Sequence, residues 1–275
     1  MKTAVAAGNK MVDYHIHTYL CCHAEGKVND YVDTAVNRGL KEIGFADHFP
    51  LSFMEVEPKA PVTMKADEMD LYLKMVSDVA ARDDITVKTG IELDYIPLKT
   101  VELRSMLNNL PFDYIIGSIH FMDDWDFSHP FFAHEYKERS IADVYERYFS
   151  LVSDACSSGL FDIVGHVDVI KKFGYRPEAK ILDGYYREVA GVLANNNVCL
   201  EVNTSGIDAP VNEMYPAVGL IKYCIDNKVN ITLGSDAHAP QQVGRYFPET
   251  IEMLKSMGLK EIMTFSSRKG SLISI

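Results

Sequence analysis

Seven short runs rich in β-branched and apolar residues alternate with seven stretches of helical character in this 275-residue chain, and that alternation leaves few folds open. The strand-like runs span 12–17, 42–47, 86–94, 114–120, 162–168, 199–204 and 230–236. The helical stretches span 29–38, 66–81, 100–108, 140–157, 179–195, 216–227 and 248–257. Strand-helix-strand units repeated without a linker or a low-complexity run predict right-handed crossovers and a parallel sheet. Closed on itself, that sheet is a TIM-like (β/α)7 barrel, an α/β fold in one domain over 1–275, one unit short of the usual eight. Two insertions, 49–63 and 121–138, follow strand-like runs and are rich in aromatics and prolines, as loops that roof an active site are.

Composition narrows the function classes. With 47% hydrophobic and 24% charged residues the chain is ordinary globular material, long enough for a large core. No apolar run approaches the roughly 18 to 20 residues that span a bilayer, and the first ten residues lack the apolar stretch of a signal peptide. A cytoplasmic location without membrane attachment is therefore expected. The formal charge of −12 gives a surface that repels polyanions, which argues against a nucleic-acid partner. The five cysteines, Cys21, Cys22, Cys156, Cys199 and Cys224, are odd in number and lack CxxC spacing, so reduced thiols are expected.

The chemistry-bearing residues recur in step with the strands. His15, His17, His23, His48, Glu92, His120, His166, Asp236 and His238 include seven of the nine histidines, and most stand at the downstream end of a strand-like run. A βα barrel presents its catalytic residues there. Alternate side chains of a strand share a face, so His15 and His17 can bind one metal together, and Asp236 with His238 repeats the spacing on the last strand. Closing the barrel makes the first and last strands neighbours and brings the two pairs together. Glu92 is placed to bridge two cations through its two oxygens. A lone histidine at a strand end is more often an ordinary hydrogen-bonded residue; the paired spacing and the recurrence point to a polynuclear site of zinc, manganese or iron. Cys21 and Cys22 lie close by and are expected to pack rather than ligate. His129 and His134 fall in the second insertion, as lid or solvent-facing residues. The aromatics there, Phe121, Trp125, Phe127, Phe131 and Phe132, suit either an imidazole-bearing substrate or the lid's own core.

His-x-His on a first strand also opens the amidohydrolase pattern. That pattern needs a bridging lysine at the end of a middle strand, which this chain lacks, and it leaves His23 and His120 unused. The chain instead resembles the polymerase and histidinol phosphatase superfamily, and within it the histidinol-phosphate phosphatases. The resemblance rests on Gly-Ser-Ile-His-Phe-Met-Asp-Asp-Trp (117–125), Phe-Asp-Ile-Val-Gly-His-Val-Asp-Val-Ile-Lys-Lys-Phe-Gly (161–174), Leu-Glu-Val-Asn-Thr-Ser-Gly (200–206) and Gly-Ser-Asp-Ala-His (234–238). It implies a distorted seven-stranded barrel, up to three divalent ions, and hydrolysis of L-histidinol phosphate in histidine biosynthesis. Carried over by position, it implies His15, His17, Glu92 and Asp236 on one metal, Glu92, His120 and His166 on a second, and His23, His48 and His238 on a third. Glu92, Asp236 and His238 then stand closest to the chemistry.

Two carboxylates among three divalent ions leave a cationic site suited to a compact phosphomonoester dianion and to in-line attack by activated water. For the leaving group's proton the sequence offers Asp94, Asp168 or a histidine free of metal, without choosing. The family pattern also predicts a basic residue after Gly206, where Ile207 and Asp208 follow. Lys171, Lys172, Arg176 and Arg245 are the cations left near strand ends, and Lys171, Lys172 and Arg245, with Trp125 and Phe121, form the expected substrate-binding set. Another small phosphomonoester or a nucleotide is the alternative substrate, and a non-catalytic metal-binding module is the more distant alternative.

Overall fold

The computed structural model describes residues 11–54 and 61–275. The leader expectation for 1–10 and the middle of the first insertion, 55–60, lie outside the described residues. Seven parallel strands form one sheet in the order β1 (Val12–Ile16), β2 (Glu42–Phe45), β3 (Thr86–Asp94), β4 (Tyr114–Ser118), β7 (Ile163–Val164), β8 (Cys199–Asn203) and β9 (Ile231–Gly234). Two backbone hydrogen bonds, His17 N to the Ala237 carbonyl (2.9 Å) and Ala237 N to the His15 carbonyl (3.1 Å), join the sheet's two ends into the expected distorted (β/α)7 barrel. β1, β4, β8 and β9 are buried along their whole length, which is why they read as continuous runs rather than alternating ones.

Among the described residues seven α-helices surround the barrel: α1 (Val28–Asn37), α2 (Met69–Ala80), α3 (Thr100–Leu107), α4 (Ile141–Ser157), α5 (Ala179–Asn196), α6 (Val218–Asp226) and α7 (Phe247–Ser256). α4 illustrates how sequence sets them. The Ser140 side chain caps it by accepting from Asp143 N, and Val144, Tyr145, Tyr148, Phe149, Leu151, Val152, Ala155 and Cys156 recur every three to four residues on its buried face. Each large side chain so buried contributes about 1.5–3 kcal/mol. No helix among the described residues is long and apolar enough to cross a membrane.

Apart from β3, which spans 86–94 as expected, the barrel strands are shorter than the sequence predicts, because the chain turns away from the ladder where it delivers functional side chains. β7 ends at Val164, and His166 follows at φ 24°; β9 ends at Gly234, and Asp236 follows at φ 51°. Such backbone is uncommon for non-glycine residues and tends to gather at functional sites.

Two antiparallel hairpins add to the seven expected strands. β5 (Phe121–Met122) and β6 (Trp125–Asp126) open the second insertion, which continues as a 3-10 stretch over Pro130–Glu138. β10 (Glu261–Ser266) and β11 (Lys269–Ser274) pair antiparallel beyond the last helix and pack by the N-terminal ends of the barrel strands. There Phe265 N donates to the Tyr14 hydroxyl (3.1 Å), and the Tyr114 hydroxyl donates to the Tyr14 carbonyl (2.7 Å), so aromatics fill this end of the barrel.

Candidate active site

The hydrogen bonds that close the barrel also build its mouth. Because Ala237 pairs with the β1 backbone, its neighbours Asp236 and His238 fall beside His15 and His17. Asp236 Oδ1 lies 3.2 Å from His17 Nε2 and 3.9 Å from His15 Nε2, and the His17 and His238 rings stack with centroids 4.1 Å apart. Buried Asp13 secures this seam by accepting from Ser235 N, Ser235 Oγ and Gly244 N.

Glu92, at 1% exposure, stands in the middle of the cluster. Its Oε2 lies 3.3 Å from His15 Nε2, 3.6 Å from His17 Nε2 and 2.9 Å from His48 Nδ1. Its Oε1 lies 3.0 Å from His166 Nε2 and 3.8 Å from His120 Nε2, and accepts from Ser118 Oγ at 2.6 Å. The two oxygens thus face two different sets of imidazoles. On the outer side His23 and His238 bring their Nε2 atoms to 2.9 Å, with His48 alongside.

These donors fit metal ions. His15 Nε2, both His17 ring nitrogens, His166 Nδ1 and Glu92 Oε2 are buried without a hydrogen-bond partner among the described residues; the approaches of His15 Nε2 and His17 Nε2 to Glu92 Oε2 lack hydrogen-bond geometry. A buried polar atom left without a partner costs about 1–3 kcal/mol. Ligand atoms of His15, His17 and Glu92 lie within 4.8 Å of one another, as do those of His23, His48 and His238, of His48, Glu92 and His120, and of His15, His166 and Asp236. Imidazole with carboxylate suits zinc, manganese or iron. Cys21, buried as expected, also brings its Sγ within 4.8 Å of His17 and His238 donors.

Without cations the cluster's charges act on one another. Burial alone would push the Glu92 and Asp236 carboxyls up, but His48 and His15 around Glu92, and His15 and His17 around Asp236, hold both well below the usual range. Burial would lower His17, yet the adjacent Asp236 and Asp47 carboxylates (3.2 and 3.6 Å) and the charge of Glu92 raise it to about 9. His23 moves the other way, to about 4, through burial and the neighbouring His48 and His17.

Carboxylates behind the imidazoles orient them, a support the sequence reading missed. Glu201 is 2.6 Å from His15 Nδ1 and accepts from His166 N (2.7 Å) and Asn203 Nδ2 (3.1 Å). Asp94 accepts from His120 N (2.9 Å) and lies 3.1 Å from His120 Nδ1, and Asp47 accepts from Thr18 N and His48 N. The signal for Glu201 was its charge inside the otherwise apolar Cys199–Asn203 strand. Gly234 is part of the same fit: a Cβ there would collide with the Glu201 carboxylate and come within 2.8 Å of His15 Cβ.

The cluster floors a cavity of about 540 Å³, the size of a small-molecule site. Phe121, Lys172 and Arg245 of the expected substrate-binding set line it, together with Asp126, His129, Ser205, Asp208 and Tyr215. Lys171 and Trp125 do not. Lys171 is buried against Asp168 (2.9 Å) and the Met214 carbonyl (2.8 Å), and Trp125 packs inside the lid on Tyr136 and Phe127 with the Arg139 guanidinium over its ring. His134 likewise stays on the lid, Nδ1 3.0 Å from the Phe131 carbonyl. Arg176 is turned to Glu213 (2.8 Å). Arg245 is pinned by the Ser235 carbonyl and by Asp208 (2.9 Å), the residue standing where a cation was expected. Lys172 spends one donor on the Ser128 carbonyl (2.9 Å), and burial lowers its pKa.

A parallel βα barrel carrying histidines and carboxylates around unpartnered donors at its mouth defines a metal-site barrel of the hydrolase kind. The PHP domain model matches residues 13–205, and the chain belongs to the PHP-domain family. It is 35% identical over 266 residues to "Probable histidinol-phosphatase" of Deinococcus radiodurans, a match covering 94% of this chain and 98% of that protein. It is 28% identical over 263 residues to the histidinol-phosphatase of Bacillus subtilis, covering 87% and 98%. The crystal structure of histidinol phosphate phosphatase from Lactococcus lactis, complexed with zinc, L-histidinol and phosphate, shares the fold at a TM-score of 0.82 and 23% identity, covering 95% of this chain and 99% of that one.

Proposed function

We propose that this protein is a metal-dependent histidinol-phosphate phosphatase, a phosphoric monoester hydrolase that converts L-histidinol phosphate to L-histidinol and phosphate. The observation that carries the reading is the ring of histidines around Glu92 at the mouth of a barrel that is alike, over 94% of its length, to the Deinococcus radiodurans relative. In this reading His15, His17, Glu92 and Asp236 hold one divalent ion, Glu92, His120 and His166 a second, and His23, His48 and His238 a third, each zinc, manganese or iron. Ions held there would supply a water ionised near neutral pH and would neutralise charge on the phosphoryl oxygens.

The chain's own groups do the rest. Glu201, Asp94 and Asp47 hold the imidazoles in place. Lys172 has donors left over for phosphate, and Phe121 offers the substrate's ring an apolar wall. Asp236 and His238 stand at the reacting end, next to Glu92's neighbours. The whole site lies on one barrel domain, and the −12 charge fits a cytoplasmic enzyme of a small metabolite with no nucleic-acid or membrane partner.

A second reading keeps this chemistry and changes the substrate to another small phosphomonoester. The pairing of Arg245 with Asp208 favours it, because it withdraws a cation from the cavity. Phosphate release by metal-reconstituted protein from L-histidinol phosphate, sugar phosphates, nucleotides and an aryl phosphodiester separates the two. The first reading expects kcat/KM for L-histidinol phosphate on the order of 10⁴ M⁻¹s⁻¹ or more and well above the rest. A flat profile, or a maximum elsewhere, selects the second.

A further inference from the structure

Tyr215 is 2% exposed, forms part of the cavity wall, and its hydroxyl has no hydrogen-bond partner among the described residues. Every other part of the residue is fixed. Its backbone pairs both ways with Asn203 on β8, through N–H···O contacts of 2.8 and 2.6 Å. The segment on either side is clamped from below. Lys171 Nζ donates to the Met214 carbonyl, and Asp168 Oδ2, held by Lys171 and by the Tyr186 hydroxyl, accepts from Ala217 N at 2.9 Å.

The far end of the ring lies over Gly206, where a Cβ would come within 2.8 Å of it, and the ring meets that of His166 nearly at right angles, with centroids 6.5 Å apart. A phenol costs free energy when buried without a partner, and a fold free to choose would place phenylalanine here. Burial, then the charges of Asp168 and Asp236, push the hydroxyl's pKa up, so it is a neutral donor at physiological pH.

We propose that the Tyr215 O–H is a substrate-contacting donor, hydrogen-bonded to a non-bridging oxygen of the phosphoryl group in the cavity. The chemistry of the wall supports this choice of acceptor. Tyr215 lies next to the Ser205-Gly206 turn, the place where the family pattern calls for a basic residue and this chain has Ile207 and Asp208. Arg245 is committed to Asp208 and to backbone carbonyls and Ser205 Oγ to Asp236, so beside the Gly206 turn the Tyr215 hydroxyl is, among the described residues, a neutral donor without an acceptor of its own. Lys171, in this account, is a positioning residue: it fixes the segment that carries Tyr215 and touches no substrate.

The inference rests on the cavity being a phosphate site, and its test separates that premise from the rest. Tyr215→Phe is compared with wild type in metal-loaded form by thermal melting, by inorganic phosphate titration and by turnover of L-histidinol phosphate. The expected result is a melting temperature equal to or above wild type, phosphate binding weakened about tenfold, and kcat/KM lowered about 10- to 100-fold, the range for loss of one donor to a charged acceptor. Unchanged phosphate affinity in the variant overturns the inference, and so does a lowered melting temperature with turnover lost in proportion, which marks the hydroxyl as structural. If wild type binds phosphate but leaves L-histidinol phosphate intact, the substrate reading fails, while the titration still decides the role of Tyr215.

Discussion

The Nε2 atoms of His23 and His238, 215 positions apart in the chain, lie 2.9 Å from one another at the barrel mouth. Each ring's other nitrogen is already turned to a backbone carbonyl, His23 Nδ1 to Cys21 and His238 Nδ1 to Asp236. If both Nδ1 atoms donate to those carbonyls, the two Nε2 lone pairs face each other, an arrangement that a shared cation stabilises.

His23→Ala is therefore expected to lower the metal content of the purified protein by one equivalent while the other equivalents persist. Metal analysis reads this directly. Activity falls by about 10- to 100-fold, since the inner ligands around Glu92 are untouched. Wild-type metal content in the variant contradicts the assignment of the outer site.

Glu92→Gln tests the bridge. The amide keeps the shape but loses the charge that faces His15, His17 and His48 on one side and His166 on the other. More than one metal equivalent should be lost, and kcat should drop by about 10³-fold or more. Loss of a single equivalent would restrict Glu92 to one ion.

Glu201→Gln leaves every proposed ligand in place and weakens only the carboxylate behind His15 and His166. Metal affinity, measured by competition with a chelator, is expected to fall about 10- to 100-fold. Unchanged affinity would mean that the barrel wall alone orients His15.

Metal uptake should release protons. His17 in the metal-free protein is raised to about 9, because the adjacent Asp236 and Asp47 carboxylates and the charge of Glu92 outweigh its burial. It is thus protonated at pH 7, and a metal needs it neutral. His238 is lowered well below its usual value and is already neutral. The sign is then fixed: affinity weakens as pH falls below about 9, and calorimetry at pH 7 in buffers of different ionisation enthalpy should show net proton release. Absence of any buffer dependence would contradict it.

The barrel and the inner cluster were legible because they rest on periodicity. His15 with His17, and Asp236 with His238, are pairs spaced by two, and closure of a parallel sheet brings first and last strands together whatever the loops do. Asp47, Glu201 and Tyr215 are single residues with no such repeat, and their roles depend on what lies across the barrel. Lys171 and Lys172 could not be told apart by type. The 3-10 turn at Val169–Lys171 decides between them, since residues three apart eclipse in such a turn and Lys171 falls onto Asp168, leaving Lys172 to the cavity. The β10–β11 hairpin escaped notice because β11 is almost wholly exposed and carries no apolar alternation.

The most direct test of the account is a titration of metal-stripped protein with zinc, manganese or iron(II) while hydrolysis of L-histidinol phosphate is followed. Activity should appear only as the sites fill and should level off at the third equivalent. A plateau at one equivalent, or full hydrolysis by the stripped protein, would contradict a phosphatase built on three ions around Glu92.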